Sequence, residues 1–552
     1  MSDEIRKSGK FSVLMDTTTD VSGYDQCVIV LRYLFETSIK ERILSLKCVE
    51  SSTGENLFNT LKETLNSLGI DIKKCVANSF DGAANMSGQY KGVKARLEEE
   101  SPNNIHTWCY AHSLNLVMTD AMQCDITTIS FFGLLQQTQV FIKDSHKRLA
   151  IYLDQNPSVR LGAIGITRWR SRSDAACKIF GRFDNWSECD ANPSETLNLK
   201  LAYIELILAL SIISDSEDFN PKTRSEANSL LQKFVSYETI LTAMMCLMIF
   251  KITTPLSDYL QTKNLDYAQA WNIIASSQKL LDAARQKFDQ IVEAAEKFVE
   301  VMTYILNKKI EESVHCFSDI IIENEFPKKR RIIRKKKYDE NSQNEVVFDA
   351  KQNFKVKTFL NVIDQINSSM RTRFSDQKRL YQDLSCFDPK RFKEIKNGIP
   401  NNALEKICQL NASIDKPRLV EELQSFANQW AGMSSTLLKQ TYRPDQYSSD
   451  DENTRESEDA IQNCVTKIPC KSRVKCAYNL IYQYNMYSVM YTELDKAYKF
   501  ILTIPLTQVS CERAFSKLKL IKTRLRSTLT NENREALLLM QSEKGIHCCN
   551  RK

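Results

Sequence analysis

No apolar run in this sequence reaches bilayer length. The most hydrophobic stretches, Leu201–Ser214 and Thr239–Phe250, are shorter than the roughly 20 residues a spanning helix requires, and Glu205 interrupts the first. The opening Met1–Phe11 is polar and charged, without the apolar centre of a secretory signal. No membrane partner is expected, and an intracellular, reducing compartment is. A disulfide framework is missing as well. The seventeen cysteines follow no regular spacing, and Cys27, Cys48, Cys75 and Cys246 lie in apolar runs, where a free thiol packs as a small hydrophobe. Neither a Gly-rich phosphate loop nor a nucleophile elbow occurs, which argues against a metabolic α/β enzyme.

What is present suits two or three domains in 552 residues. A hydrophobic content of 42% can build a core, and the net charge of +7 suits a protein that meets polyanions without requiring one. The first segment reads as α/β. Phe11–Met15, Gln26–Phe35 and Ile43–Val49 are β-rich runs joined by short polar links. A helix over Thr53–Gly69, a strand over Lys73–Phe80, a helix over Tyr90–Glu100, a strand over Ile105–Cys109 and a long helix over Ser113–Phe141 follow. The order β-β-β-α-β-α-β-α is that of a ribonuclease H-like fold, whose later strands lie parallel to the first.

From about Asn185 to Ile461 the periodicity is helical, over Leu197–Ser214, Lys222–Phe250 and Tyr267–Asn307. This stretch carries the basic block Lys328–Lys337 and ends in the acidic, low-complexity Ser448–Asp459. The expected organisation is an α/β ribonuclease H-like domain interrupted by a large all-α insertion domain. Residues 1–184 form its first part, 185–461 the helical insertion with a basic loop at 328–345, and 462–552 the C-terminal helices that complete it.

Asp16 and Asp81 each follow an apolar strand. Neighbouring carboxylates at one sheet edge can hold divalent cations that activate a water and stabilise the leaving oxygen of a phosphodiester. Mg²⁺ suits such a site because it retains waters and needs few protein ligands. Taken singly, an Asp at a strand end is also ordinary turn chemistry.

The strings MDTTTD (15–20), SFDGAANMSG (79–88), CYAHSLNL (109–116), TRWRSR (167–172) and IPLTQVSCERAFSKLKLIKTRLRSTL (504–529) resemble the successive signature blocks of hAT superfamily transposases. The resemblance is nearest to the animal subgroup of zinc finger MYM-type and similar domesticated proteins. It implies an acidic triad of Asp16, Asp81 and Glu512 that binds Mg²⁺ or Mn²⁺, with Asp20 competing for the first place. It implies a DNA-facing pair at Arg168 and Trp169, where the Trp either stacks on an extruded base or packs as core. Cys109 and His112 match the family's Cys-x-x-His element, as a structural motif or as half of a zinc site.

The helix around Glu512 carries Arg513, Lys517, Lys519, Lys522, Arg524 and Arg526, either a phosphate-tracking face or a solvated one. The block Lys328–Lys337 reads as a nuclear import signal or as an unstructured loop that contacts DNA, with import favoured. The apolar faces of Leu520–Leu529 and Ala536–Met540 suit burial on the same domain or self-association. No Cys-x-x-Cys with a following His pair precedes Asp16, so the family's N-terminal zinc finger is expected to be missing from this chain. Two functions follow from the resemblance. One is a nuclear, metal-dependent DNA transposase of the Asp-Asp-Glu type. The other is a catalytically inactive, dimerising scaffold acting in transcription or chromatin.

Overall fold

Phe11–Met15 is a run of apolar and small residues, and side chains along an extended chain alternate between two faces. A strand of this kind must be covered on both sides. The computed structural model describes residues 1–162, 169–187, 199–262, 265, 267–313, 317, 319–327, 349–375, 378–437, 473–522 and 529–542. In it, β1 (Phe11–Thr19) is the middle of a five-stranded sheet with β2 (Asp25–Phe35), β3 (Ser38–Val49), β4 (Cys75–Phe80) and β5 (Ile105–Trp108). The order is β3-β2-β1-β4-β5. The β1–β2 and β2–β3 pairs are antiparallel, whereas β1–β4 and β4–β5 are parallel. This is the arrangement the element order anticipates.

Phe11, Val13 and Met15 point to one face. There they join Leu57, Leu61 and Leu65 of α1 (Gly54–Ser67) and Val93 and Leu97 of α2 (Val93–Glu100) in one buried cluster. The four-residue spacing of the leucines places them on one side of α1, and the Thr53 side chain caps its first turn by accepting from the Asn56 amide. Gly54 is required here: a Cβ would lie 2.2 Å from the Lys91 carbonyl oxygen. The other face, with Leu14, Val28, Val30, Ile43 and Leu46, is covered from the far end of the chain. Its cover is Cys511, Ala514, Phe515, Leu518 and Ile521, with Leu538 beside them.

The chain divides into two compact units. One holds the sheet and comprises Met1–Ser113, Tyr259–Ile273 and Phe374–Lys552; in the other, Leu114–Asp258 and Ile274–Arg373, the regular elements among the described residues are all helices. The change of periodicity near 185 falls inside the helical unit, because the helices from Leu114 onward already pack within it.

Several helices end where a side chain offers the backbone a better partner. The helix expected over Ser113–Phe141 is two, α3 (Tyr110–Gln123) and Ile126–Lys143, because Asp125 caps the second by accepting from the Thr127 amide. The run Lys222–Phe250 likewise splits at Ser236, whose hydroxyl accepts from the Thr239 amide. Its second part, Tyr237–Leu260, outruns the expected end at Phe250 by passing through Pro255. By length and composition alone it could cross a membrane, but it lies mostly buried within the protein.

At the opposite end of β1 a charge cluster joins the sheet to its C-terminal cover, formed by α4 (Thr492–Thr503), α5 (Val509–Ile521) and α6 (Asn531–Ser542). Asp20 receives Lys522 at 2.5 Å and Arg534 at 2.9 Å, and all three side chains are buried. The Ser22 and Tyr24 amides and the Gln26 side chain also donate to it. Burial works against its ionisation, yet the Lys522 hydrogen bond and these amides hold the carboxyl below its usual range. Asp20 is thereby committed to structure. Asp20→Ala leaves two cations buried without their shared partner and is expected to lower unfolding free energy by about 3 kcal/mol, read by denaturant titration. A loss under about 1 kcal/mol would show the cluster to be dispensable.

Candidate active site at the sheet edge

Asp16 lies inside β1, not at its end. The strand continues to Thr19 because its antiparallel pairing with β2 runs on through Asp16↔Val28 to Thr19↔Asp25, whereas its parallel pairing with β4 stops at Leu14↔Ser79. Asp16 therefore sits just past the point where one neighbour falls away. By alternation it shares the face of Leu14, the face that α5 covers. Asp81 is the first residue after β4, and its Oδ1 accepts from the Ala83 amide at 3.2 Å. Glu512 lies in the first turn of α5, beside the buried Cys511.

These acids share one electrostatic neighbourhood. The Asp16 carboxyl is pushed up to about 7, by burial first, then by the Asp81 charge and, more weakly, by that of Glu512, against the Thr17 amide that donates to it. Like charges gathered in a partly desolvated place raise one another's proton affinity. Asp81 and Glu512, the latter nearly five hundred residues along the chain, are thus both within range of the Asp16 charge.

Cys109 is the pin between the two ends of the chain. Its amide donates to the Phe80 carbonyl at 3.1 Å, directly before Asp81, and its Sγ accepts from the Gln508 amide at 3.4 Å, four residues before Glu512. The His112 amide also donates to the sulfur, and the Tyr110 amide donates to the Leu506 carbonyl at 3.0 Å. Burial pushes the Cys109 thiol up to about 12. It packs and accepts hydrogen bonds in the protonated form, the structural alternative for the Cys-x-x-His element. The roles of Gln508 and Leu506 were hidden in the sequence. Their only signal is their place in the same block as Glu512.

The basic residues divide. Arg513 donates to the Gln261 carbonyl at 2.7 Å and Lys517 to the Gln541 carbonyl at 3.3 Å, while Lys519 is exposed. Lys522 is buried on Asp20 and does not belong to a solvent-facing stripe. In the helical unit, Trp169 is buried against Phe132 and Phe250, with ring centroids 5.6 and 5.2 Å away, as the core alternative has it. Arg168, Arg524, Arg526 and the basic loop 328–345 lie outside the described residues.

Among the described residues no three His, Cys, Asp or Glu side chains converge closely enough to hold a metal ion. The acids are gathered at charge-interaction range and not as a closed cage. Their chemistry still fits a hard divalent cation, since Mg²⁺ is commonly held by one or two carboxylates together with substrate phosphates and water.

The raised Asp16 carboxyl also makes a stability prediction. Unfolded, the group ionises near its ordinary value of about 4; folded, it keeps its proton to about 7. Ionisation therefore opposes folding. The penalty is absent below about pH 4, grows between about 4 and 7, and is complete above, where three units amount to ~4 kcal/mol. Asp16→Asn is expected to stabilise the metal-free protein by about 2 kcal/mol or more at pH 8 and negligibly at pH 4. Equal effects at both pH values in thermal unfolding would refute the coupling.

Comparison with known proteins bears on both ends of this arrangement. Residues 2–92 match the family described as ZMYM1/FAM200, RNase-like domain, and residues 484–543 match the hAT family C-terminal dimerisation region. A human protein, the 52 kDa repressor of the inhibitor of the protein kinase, is 22% identical over 183 residues, covering 31% of this chain and 24% of that protein. The chain thus spans about a quarter of the length of this relative. The first match holds β1 to β4 with Asp16 and Asp81; the second holds α5 and α6 with Glu512. With an RNase-like match near one end and a hAT dimerisation-region match near the other, this chain is similar at both ends to proteins of the hAT superfamily.

Proposed function

We propose that this transposase-derived protein acts on DNA in the nucleus, cleaving and joining phosphodiesters at Asp16, Asp81 and Glu512 with Mg²⁺ or Mn²⁺. The observation that carries this reading is the shared charge of the three acids. Concentrated negative charge around the partly buried Asp16 opposes folding at neutral pH unless a cation balances it. Asp16 stands on β1, Asp81 follows the adjacent β4, and Glu512 lies in the first turn of α5, so these carboxylates would hold the ion. Bound there, a divalent cation lowers the pKa of a water or hydroxyl nucleophile and offsets charge on the leaving oxygen. Arg513, Lys517 and Lys519 stand on the helix of Glu512 and supply positive charge for a phosphate backbone. Arg168 and Trp169 are proposed as further DNA contacts, the Trp only if its aromatic packing opens. The block Lys328–Lys337 supports nuclear import.

The dimerisation region supports self-association. Leu538 of α6 is fully buried against the sheet, whereas Leu520 and Met540 are 70% and 64% exposed. These outward apolar side chains are proposed to meet a second copy. The double variant Leu520→Glu, Met540→Glu is expected to sediment as a monomer under conditions where the parent dimerises. Unchanged sedimentation would place the interface elsewhere.

The decisive measurement is nicking of supercoiled DNA in Mg²⁺ or Mn²⁺. The parent chain is expected to nick, and Asp81→Ala to lose at least ~100-fold in rate while keeping its melting temperature and dimerisation. An inactive parent that still dimerises would favour the second function, a scaffold in transcription or chromatin.

A further inference from the structure

The face of the sheet opposite α5 carries a buried chain of polar groups that ends on Asp81. Asn104 donates through Nδ2 to Cys75 Sγ at 3.2 Å and accepts through Oδ1 from Asn78 Nδ2. Asn78 and His106 are register partners on β4 and β5, and Asn78 Oδ1 lies 2.6 Å from His106 Nδ1. Because the Asn78 amide nitrogen is occupied by Asn104, its oxygen faces the imidazole and places the ring proton on Nδ1. His106 Nε2 then lies 3.4 Å from Ser87 Oγ, which donates to the Asp81 carbonyl oxygen at 2.5 Å. Ser87's single proton is shared between these two acceptors.

Two further bonds close the turn around Asp81. The Ser87 amide donates to the Ala83 carbonyl at 2.8 Å, and the Ala83 amide donates to Asp81 Oδ1. Asp81 is thus held at its carbonyl by Ser87 and at its carboxylate by Ala83, and both holds depend on the short helix Ala84–Ser87 keeping its place. Asn78 and Asn104 are buried, and buried networks whose groups are partnered restrict motion more than exposed ones.

We propose that Ser87 and His106 are positioning residues: with Asn78 they fix the turn after β4 so that the Asp81 carboxylate is presented to a divalent cation beside Asp16. This rests on the metal-dependent reading given under Proposed function. Burial first, and the Lys94 charge second, push His106 down to about 3, so the ring stays neutral and its tautomer does not change across physiological pH. The relay is therefore a fixed brace. Phe80 lies against the ring, with centroids 5.9 Å apart, so an aromatic replacement keeps the packing while deleting the hydrogen bonds.

The test uses the full chain with Ser87→Ala, His106→Phe, their combination, and Ser87→Thr, which retains a hydroxyl. Mn²⁺ affinity is measured by titration calorimetry, and amide exchange at Ala83 by hydrogen exchange of the metal-free protein. Each single variant is expected to bind Mn²⁺ about tenfold more weakly. The combination should be no worse than either alone, and Ser87→Thr should recover most of the loss. Ala83 exchange should accelerate about tenfold in both single variants. If exchange at Ala83 is unchanged in folded Ser87→Ala and His106→Phe, the brace does not exist and the proposal fails, whatever the metal result. If exchange accelerates but the parent binds no Mn²⁺, the brace stands as a constraint on the turn, and the metal-dependent reading and the cation-presenting role fall together.

Discussion

One helix packed across two strands governs this molecule. α5 presses Cys511, Ala514, Phe515 and Leu518 onto Leu14, Val28 and Val30, and this apolar contact brings the charge of Glu512 in its first turn within range of Asp16. Burying these side chains supplies a stabilisation of roughly 1.5–3 kcal/mol for each large apolar group. The polar links at either end refine it. Asp20 with Lys522 and Arg534 sets the far end of α5, and Cys109 with Gln508 sets the near end. The position of Glu512 follows from that packing and not from any preference of its own.

The same contact creates a tension. Covering the sheet removes water from around Asp16 and brings other carboxylates within range, so the fold would hold Asp16 more easily protonated than ionised. Such tension is expected where a site is arranged for a charged visitor. The two acids of the first strand show how surroundings assign roles. Asp20 meets buried cations and serves as a cross-link, whereas Asp16, among the described residues, meets an amide and the charge of other acids.

Much of the sheet could be read from the chain. Strands β1 to β5 follow from β-rich apolar runs, and the two faces of β1 follow from its alternation. The reading erred where pairing, not composition, sets length. Thr17–Thr19 look like the start of a turn, yet they remain strand because β2 keeps offering hydrogen-bond partners. Likewise a continuous helical period across Cys124 and Ser236 hides breaks made by Asp125 and Ser236 capping the following helices.

By itself the sequence determined where strands and helical stretches would lie and which blocks resemble the hAT family, because these depend on periodicity and residue type along the chain. Only the tertiary structure decided that Glu512 would feel Asp16, that Lys522 would leave a basic stripe to neutralise Asp20, and that Trp169 would be core. Charge interaction and burial depend on neighbours that can lie hundreds of residues away, and local pattern carries no record of them.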